Sequence, residues 1–254
     1  MTFDEYINNP MGQKNSVFSH REMYREMYTT KLNNILVREV GKVNYTLYTD
    51  GDRYYIYFKI PSEVVPKFYY DVVIEFIPKL LTKADNDLRK YDVRFYSNDP
   101  SFCFTFAYAF HKNKMFIDFL KDKMPKDMIN KPAKERNPRS EVGYVKSLYF
   151  AYLLVQKYNL LKKINYSTYA TKLNKKELAS LIMNAQEKIN LRQEMGAEFN
   201  KKQRKQSQPK VEKDNMPRIR TNSSNDTGSN TRVKNTLVTK TAKVAKTTKK
   251  ANKR

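Results

Sequence analysis

The chain has 254 residues, with 49 Lys plus Arg against 26 Asp plus Glu, a formal charge of +23. That length suffices for one large domain or two small ones, and the charge suits a polyanionic partner better than it suits an ordinary cytosolic enzyme. One cysteine excludes an internal disulfide, and with only two histidines it cannot build a zinc site by itself.

The 6 glycines are scattered, so no P-loop and no dinucleotide-binding glycine motif occurs. The richest apolar stretches, Phe102–Phe110 and Leu148–Val155, are far too short to span a bilayer, and MTFDEYINNP lacks the layout of a signal peptide. The expectation is a soluble, intracellular, basic protein without cofactor, metal or membrane.

Charge and aromatic residues divide the chain at about residue 200. Residues 201–254 hold 17 Lys plus Arg and 3 acids, a net of +14, whereas the first 200 carry +9. All 33 Tyr and Phe lie at or before Phe199. A segment without rings and with high charge cannot bury enough apolar surface to offset the ordering of its backbone. Residues 1–200 therefore read as a folded body and 201–254 as a disordered, Lys/Arg-rich tail.

Within the body, turn residues (Asn8, Asn9, Pro10, Gly12) precede Ser19, a candidate helix N-cap. The pattern predicts a helix from about His20 to Arg38, with Met23, Met27, Ile35, Tyr24 and Tyr28 along one side and Gly41 ending it. Alternating Val43, Tyr45 and Leu47, followed by Asp50-Gly51-Asp52, predict a β-hairpin over Lys42–Ile60 that is broken by Pro61-Ser62-Glu63.

Tyr69, Val72, Val73, Phe76, Ile77, Leu80 and Leu81 follow helical spacing and predict an amphipathic helix kinked at Pro78. Tyr91–Ser97 reads as a strand. Phe102, Phe104, Phe106, Tyr108 and Phe110 recur every second residue, which favours a strand with one aromatic face, although Asp99-Pro100 also suits a helix start.

Three helices are expected at Lys114–Lys123, Glu141–Leu161 and Lys175–Phe199, the last opened by Asn174 and Glu177 in capping-box spacing. Between the first two, Lys126–Arg139 is Pro-rich and basic and reads as an exposed loop. The fold class is α+β, a hairpin and short strands packed with several amphipathic helices.

Catalytic settings are poor. His20 would sit at a helix start, and eight residues of strand would separate His111 from Cys103 by roughly 26 Å. Cys103 reads as a small buried apolar residue. Asp50 and Asp52 suit turn chemistry, and Asp85 and Asp87 a solvated helix end.

Tyrosine is the unusual feature. Alternation along a strand means that Tyr54, Tyr55 and Tyr57 cannot all enter one core. Excess rings fit three readings: half-buried core edges in a Tyr-rich composition, a protein interface, or base-stacking platforms. The candidate interface residues are Tyr54, Tyr55, Tyr57 and Phe58 with Arg136 and Arg139 of the loop. In the tail, Lys240, Lys243, Lys246, Lys249, Lys250, Lys253 and Arg254 lie among small residues, suited to phosphate neutralisation without base reading, or to an acidic protein neighbour.

Three segments, NPMGQKNSVFSHREMYREMYTTKL, IPSEVVPKFYYDVVIEF and NDPSFCFTFAYAF, resemble conserved-gene products of crAss-like tailed bacteriophages. The likeness covers about Met1 to Leu161 and not the tail. It implies a virion or morphogenesis protein assembled in the host cytoplasm, of the head-to-tail ring or adaptor type. Its partners would be the portal, neighbouring ring or tail proteins and further copies of itself, with non-specific DNA contact. No active-site residue comes with the resemblance. The alternative is an accessory protein of replication or packaging that binds nucleic acid through the tail.

Overall fold

A computed structural model describes residues 1–8, 21–38, 43–143 and 145–207, without the side chains of 21–25 and 204–207. The body, Met1–Pro209, is α+β. Ser19, Gly41, His20 and the candidate nucleic-acid residues from Lys240 to Arg254 lie outside the described residues.

The hairpin forms as the sequence predicts. Strands β1 (Tyr45–Asp50) and β2 (Arg53–Pro61) pair from Tyr45↔Phe58 to Asp50↔Arg53, and Gly51 takes φ +59° in the two-residue turn. Both turn acids also pin neighbouring segments, Asp50 to Lys175 at 2.8 Å and Asp52 to Lys83 at 2.6 Å.

Tyr69–Ile77 is not the expected helix but β3, the strand next to β2 in a five-stranded sheet of order β4-β3-β2-β1-β5. Here β4 is Asp92–Ser97 and β5 is Thr171–Lys172, which runs parallel to β1, while the other pairings are antiparallel. The misreading has a clear source. Asp71 and Glu75, four residues apart, mimic the polar stripe of a helix, but in a strand they share one face with Val73. That face is covered, so both acids are buried and paired. Leu80 and Leu81, on which the helical spacing also leaned, are each 93% exposed just beyond the strand.

One sheet face receives α1 (Phe3–Asn8) and α5 (Lys146–Lys157). Phe3 meets Phe76, Phe95 and Tyr152 at 5.1–6.4 Å between ring centroids. α5 buries Leu148, Phe150, Ala151, Leu154 and Val155, and also contacts α2 (Arg21–Arg38), whose Leu32, Ile35 and Leu36 are buried. The helix expected over Glu141–Leu161 is thus realised only as Lys146–Lys157.

The expected aromatic strand at Phe102–Phe110 is helical, as Asp99-Pro100 also allowed. Asp99 accepts the Ser101 amide at 2.8 Å, a wide turn follows over Phe102–Phe106, and α3 (Ala107–Lys112) continues it. Only Phe102 and Phe110 of the alternating rings are fully buried, so the period of two carried no strand information.

Lys114–Lys123 is extended at Met115–Ile117, where Phe95 exchanges backbone bonds with Met115 and Ile117, and turns as a 3-10 helix only over Asp118–Lys123. The Lys126–Arg139 loop opens with a short helix, α4 (Lys126–Asn130), and buries Ile129 and Asn137. α6 is Lys163–Tyr169.

Lys175–Phe199 is two helices, α7 (Lys175–Leu181) and α8 (Ala185–Ser207). Asn174 caps the first, its oxygen accepting from the Lys176 and Glu177 amides, and Asn184 accepts from the Gln186 amide to open the second. α8 lies over the opposite sheet face, where Lys188 reaches Asp71 at 3.5 Å, and it continues seven residues past position 200.

Candidate interaction site

The hairpin tyrosines are where the sheet needs them, inside. Tyr55 and Tyr57 point to one face of β2, while Tyr54, Ile56 and Phe58 point to the other, and both faces are covered. Tyr55 donates to Glu75 Oε1 at 2.8 Å, beside the 2.9 Å ion pair of Arg53 with the same oxygen. Tyr57 donates to Asp71 Oδ1 at 2.7 Å, and Asn98 Nδ2 donates to Asp71 Oδ2 at 2.7 Å.

Burial, and then the adjoining carboxylate, push both phenols far above their ordinary range. Tyr55, Tyr57 and Phe58 therefore cannot offer a contact surface, which corrects the expectation for these three. Tyr54 is half-buried against Tyr91 and Tyr166 at 6.0 and 5.1 Å, with the Lys163 ammonium 5.7 Å from its ring.

Arg136 and Arg139 are exposed, as expected. The Arg136 guanidinium carbon lies 5.6 Å over the ring of Phe104, which is itself 39% exposed, and Arg139 stands 3.9 Å from Glu141. Between the wide turn and α4 runs a groove of about 310 Å³, lined by Phe104, Tyr108, Met128, Lys131, Pro132 and Ala133 among others.

Asn137 ties the loop to Thr105, which lines the groove. Its Nδ2 donates to Thr105 O at 3.2 Å and Glu141 O at 2.8 Å, and its Oδ1 accepts the Glu141 amide at 3.0 Å. The neighbouring Ser140 is held at φ +53°, a left-handed conformation that few non-glycine residues adopt without such support. The wide turn itself, in which the Ala107 amide donates to Phe102 O, belongs to a class of helical distortion found often at functional sites. The sequence named Phe104 only as part of a strand face and Asn137 not at all; the helical reading of Asp99-Pro100 was the signal that could have exposed Phe104.

Two other clefts are more polar. One, of about 730 Å³, lies between the hairpin turn and α6, lined by Tyr54, Asn86, Lys162, Lys163, Tyr166 and Ser167 among others. The buried Tyr166 hydroxyl lacks a hydrogen-bond partner among the described residues. The other, of about 360 Å³, gathers Lys31, Glu63, Tyr70, Asp99, Lys146 and Arg192. There Glu63 bridges Lys31 at 3.0 Å and Lys146 at 2.9 Å. Burial would raise the Glu63 carboxyl, but these two lysine bonds outweigh it and hold the group below its ordinary value. Asp99 behaves oppositely, burial lifting its carboxyl above the usual range despite bonds from Ser101 and Ser147.

His111 and Cys103 form no nucleophilic pair. Helical winding shortens their separation along the chain to about 12 Å or less. The thiol is buried, 3.7 Å from Ser97 O, and burial pushes it well above its usual value, away from the reactive thiolate. Asp85 pairs with Lys90, and Asp87 caps Arg89 and bonds its guanidinium. Among the described residues no group of three or more His, Cys, Asp or Glu could hold a metal ion, and no helix is long and apolar enough to cross a membrane. No family model, curated protein or solved structure matches the chain.

Proposed function

We propose that the chain is a non-enzymatic structural protein of a tailed-bacteriophage virion, a head-to-tail connector or ring component contacting portal and tail proteins, whose basic tail touches DNA. The observation that carries the reading is the division of charge. Among the described residues, 11 of the 23 acids in the first 200 residues stand in ion pairs within the body, whereas a net +14 is concentrated in the last 54 residues, of which 201–207 finish α8. A segment of that kind neutralises phosphates without reading bases. The resemblance of three body segments to crAss-like phage products supplies the virion setting. In a ring, contacts are heterologous, so one face of each subunit must complement a different face of the next.

The test is the copy number of the protein in purified particles of its source, by quantitative mass spectrometry against the major capsid protein. A ring's worth of copies is expected; capsid-like abundance moves the protein to the shell, and absence overturns the virion reading. The same tail charge favours one alternative, an accessory protein of replication or packaging, and absence from particles together with salt-sensitive DNA binding would establish it.

A further inference from the structure

The groove beside Phe104 combines features that no other exposed part of the described body brings together. Its lining is mostly apolar, and its volume of about 310 Å³ is at the small end of ligand pockets, where about 300 Å³ is the lower bound. That is room for a side chain and its flanking backbone rather than for a cofactor. The rim supplies a tyrosine and an arginine-covered phenylalanine, residue types enriched in the cores of protein interfaces. The Asn137 bonds and the prolines at 125, 132 and 138 set the loop in place before anything binds, which reduces the ordering cost of association.

Charge then selects the occupant. The stretch 126–139 contains five basic and two acidic residues, and one of the acids, Asp127, is already paired with Lys131 at 3.0 Å. Arg136 is exposed and stacks on a ring face, a contact that leaves guanidinium N–H donors free to hold a carboxylate. A second copy of this chain, at +23, would be repelled from a basic rim, so the charge argues for a different protein.

We infer that this groove docks an acidic segment of another protein, which inserts one aromatic or long aliphatic side chain between Phe104 and Pro132 and places its carboxylates on Arg136 and Lys134. The inference rests on the reading of the chain as an assembly component for its setting, but its test is independent of particles.

The full chain at about 150 mM salt, where exposed charges more than about 8 Å apart are largely screened, is titrated with a fluorescent twelve-residue probe peptide of Gly, Ser and Glu with a single central Phe. Two control peptides replace the Phe by Ser, or every Glu by Ser. The tail can attract any acidic peptide, so the decisive readings are anchor dependence and location.

The Phe probe should bind at least tenfold more tightly than either control, and it should slow hydrogen exchange at 104–108 and 128–136. Arg136→Glu and Phe104→Ser should each remove at least tenfold of that affinity; the first is a surface change that keeps the test valid if the second disturbs folding. Equal binding of Phe and Ser probes, or protection that misses the groove, overturns the inference. Protection of the groove by self-association, or by a short oligonucleotide in place of the peptide, overturns the choice of occupant. Groove binding by a protein that proves absent from particles would refute the virion reading and leave the docking site standing.

Discussion

In β2, Tyr55 and Tyr57 lie inside the molecule with each hydroxyl held by a β3 carboxylate, whereas Phe104, in a wide helical turn, stands 39% exposed beneath a guanidinium. Both regions are crowded with rings. Their different fates follow from what lies opposite. The phenols of β2 find Glu75 and Asp71 close by on β3, so the hydroxyl that would otherwise resist burial becomes a reason for it. The wide turn gives Phe104 no such partner and no apolar cover beyond one wall of a groove. Ring density alone thus says little about contact surfaces. A ring left exposed on a rigid support says more.

The sharpest way to break this contrast is to truncate one ring from each region. Tyr57→Ala should cost about 3–5 kcal/mol in urea unfolding, for the cavity and the stranded Asp71 carboxylate together. Tyr57→Phe keeps the ring and should cost about 1–3 kcal/mol. Asn137→Ala should cost about 1–3 kcal/mol as well, since it removes three part-buried hydrogen bonds, and should speed hydrogen exchange at the Glu141 amide.

A pH-dependent pair comes next. The folded-state value of Glu63 is lowered, so its stabilisation is present above the unfolded value near 4.3 and fades as pH falls through the folded one. Asp99 is raised, so the native state holds its proton longer, and stability is lost as pH rises from about 3.9 through the raised value. Urea midpoints from pH 3.5 to 7 should therefore show Glu63→Gln losing ground to the parent as pH rises and Asp99→Asn gaining on it. The same sign for both would contradict the opposed environments of these two groups within one cleft.

The smallest effect belongs to Phe104→Ser and Arg136→Ala, each expected within about 1 kcal/mol because both side chains are largely at the surface. A Phe104 variant as costly as Tyr57→Ala would mean that the ring is core and the groove is not a surface.

Local signals that need only a few residues were legible. Asp50-Gly51-Asp52 specified the hairpin, and Asn174 with Glu177 specified a helix start, because turn and cap chemistry is decided within four residues. Asn184 with Glu187 carries the same cap signal, yet it was masked by an apolar period running on from α7. Tertiary context decided the rest. β3 is buried on both faces, so its apolar run has no strand alternation to detect, and its two acids are intelligible only once Tyr55 and Tyr57 are placed opposite. The basic loop was legible as an exposed segment, with Arg136 and Arg139 at its surface. Phe104 across the groove was hidden by a period of two that imitates a strand, and only the helix start open to Asp99-Pro100 pointed to it.

The proposed docking of a partner on the Phe104–Arg136 face, and not on the hairpin, has a direct test. Hydrogen exchange of the full chain, free and within assembled particles, tests it most directly. Slower exchange on assembly at 104–108 and 128–136, with the Tyr54–Phe58 amides unchanged, is the predicted result. Unchanged exchange at the groove, with new protection confined to other surfaces, would contradict it.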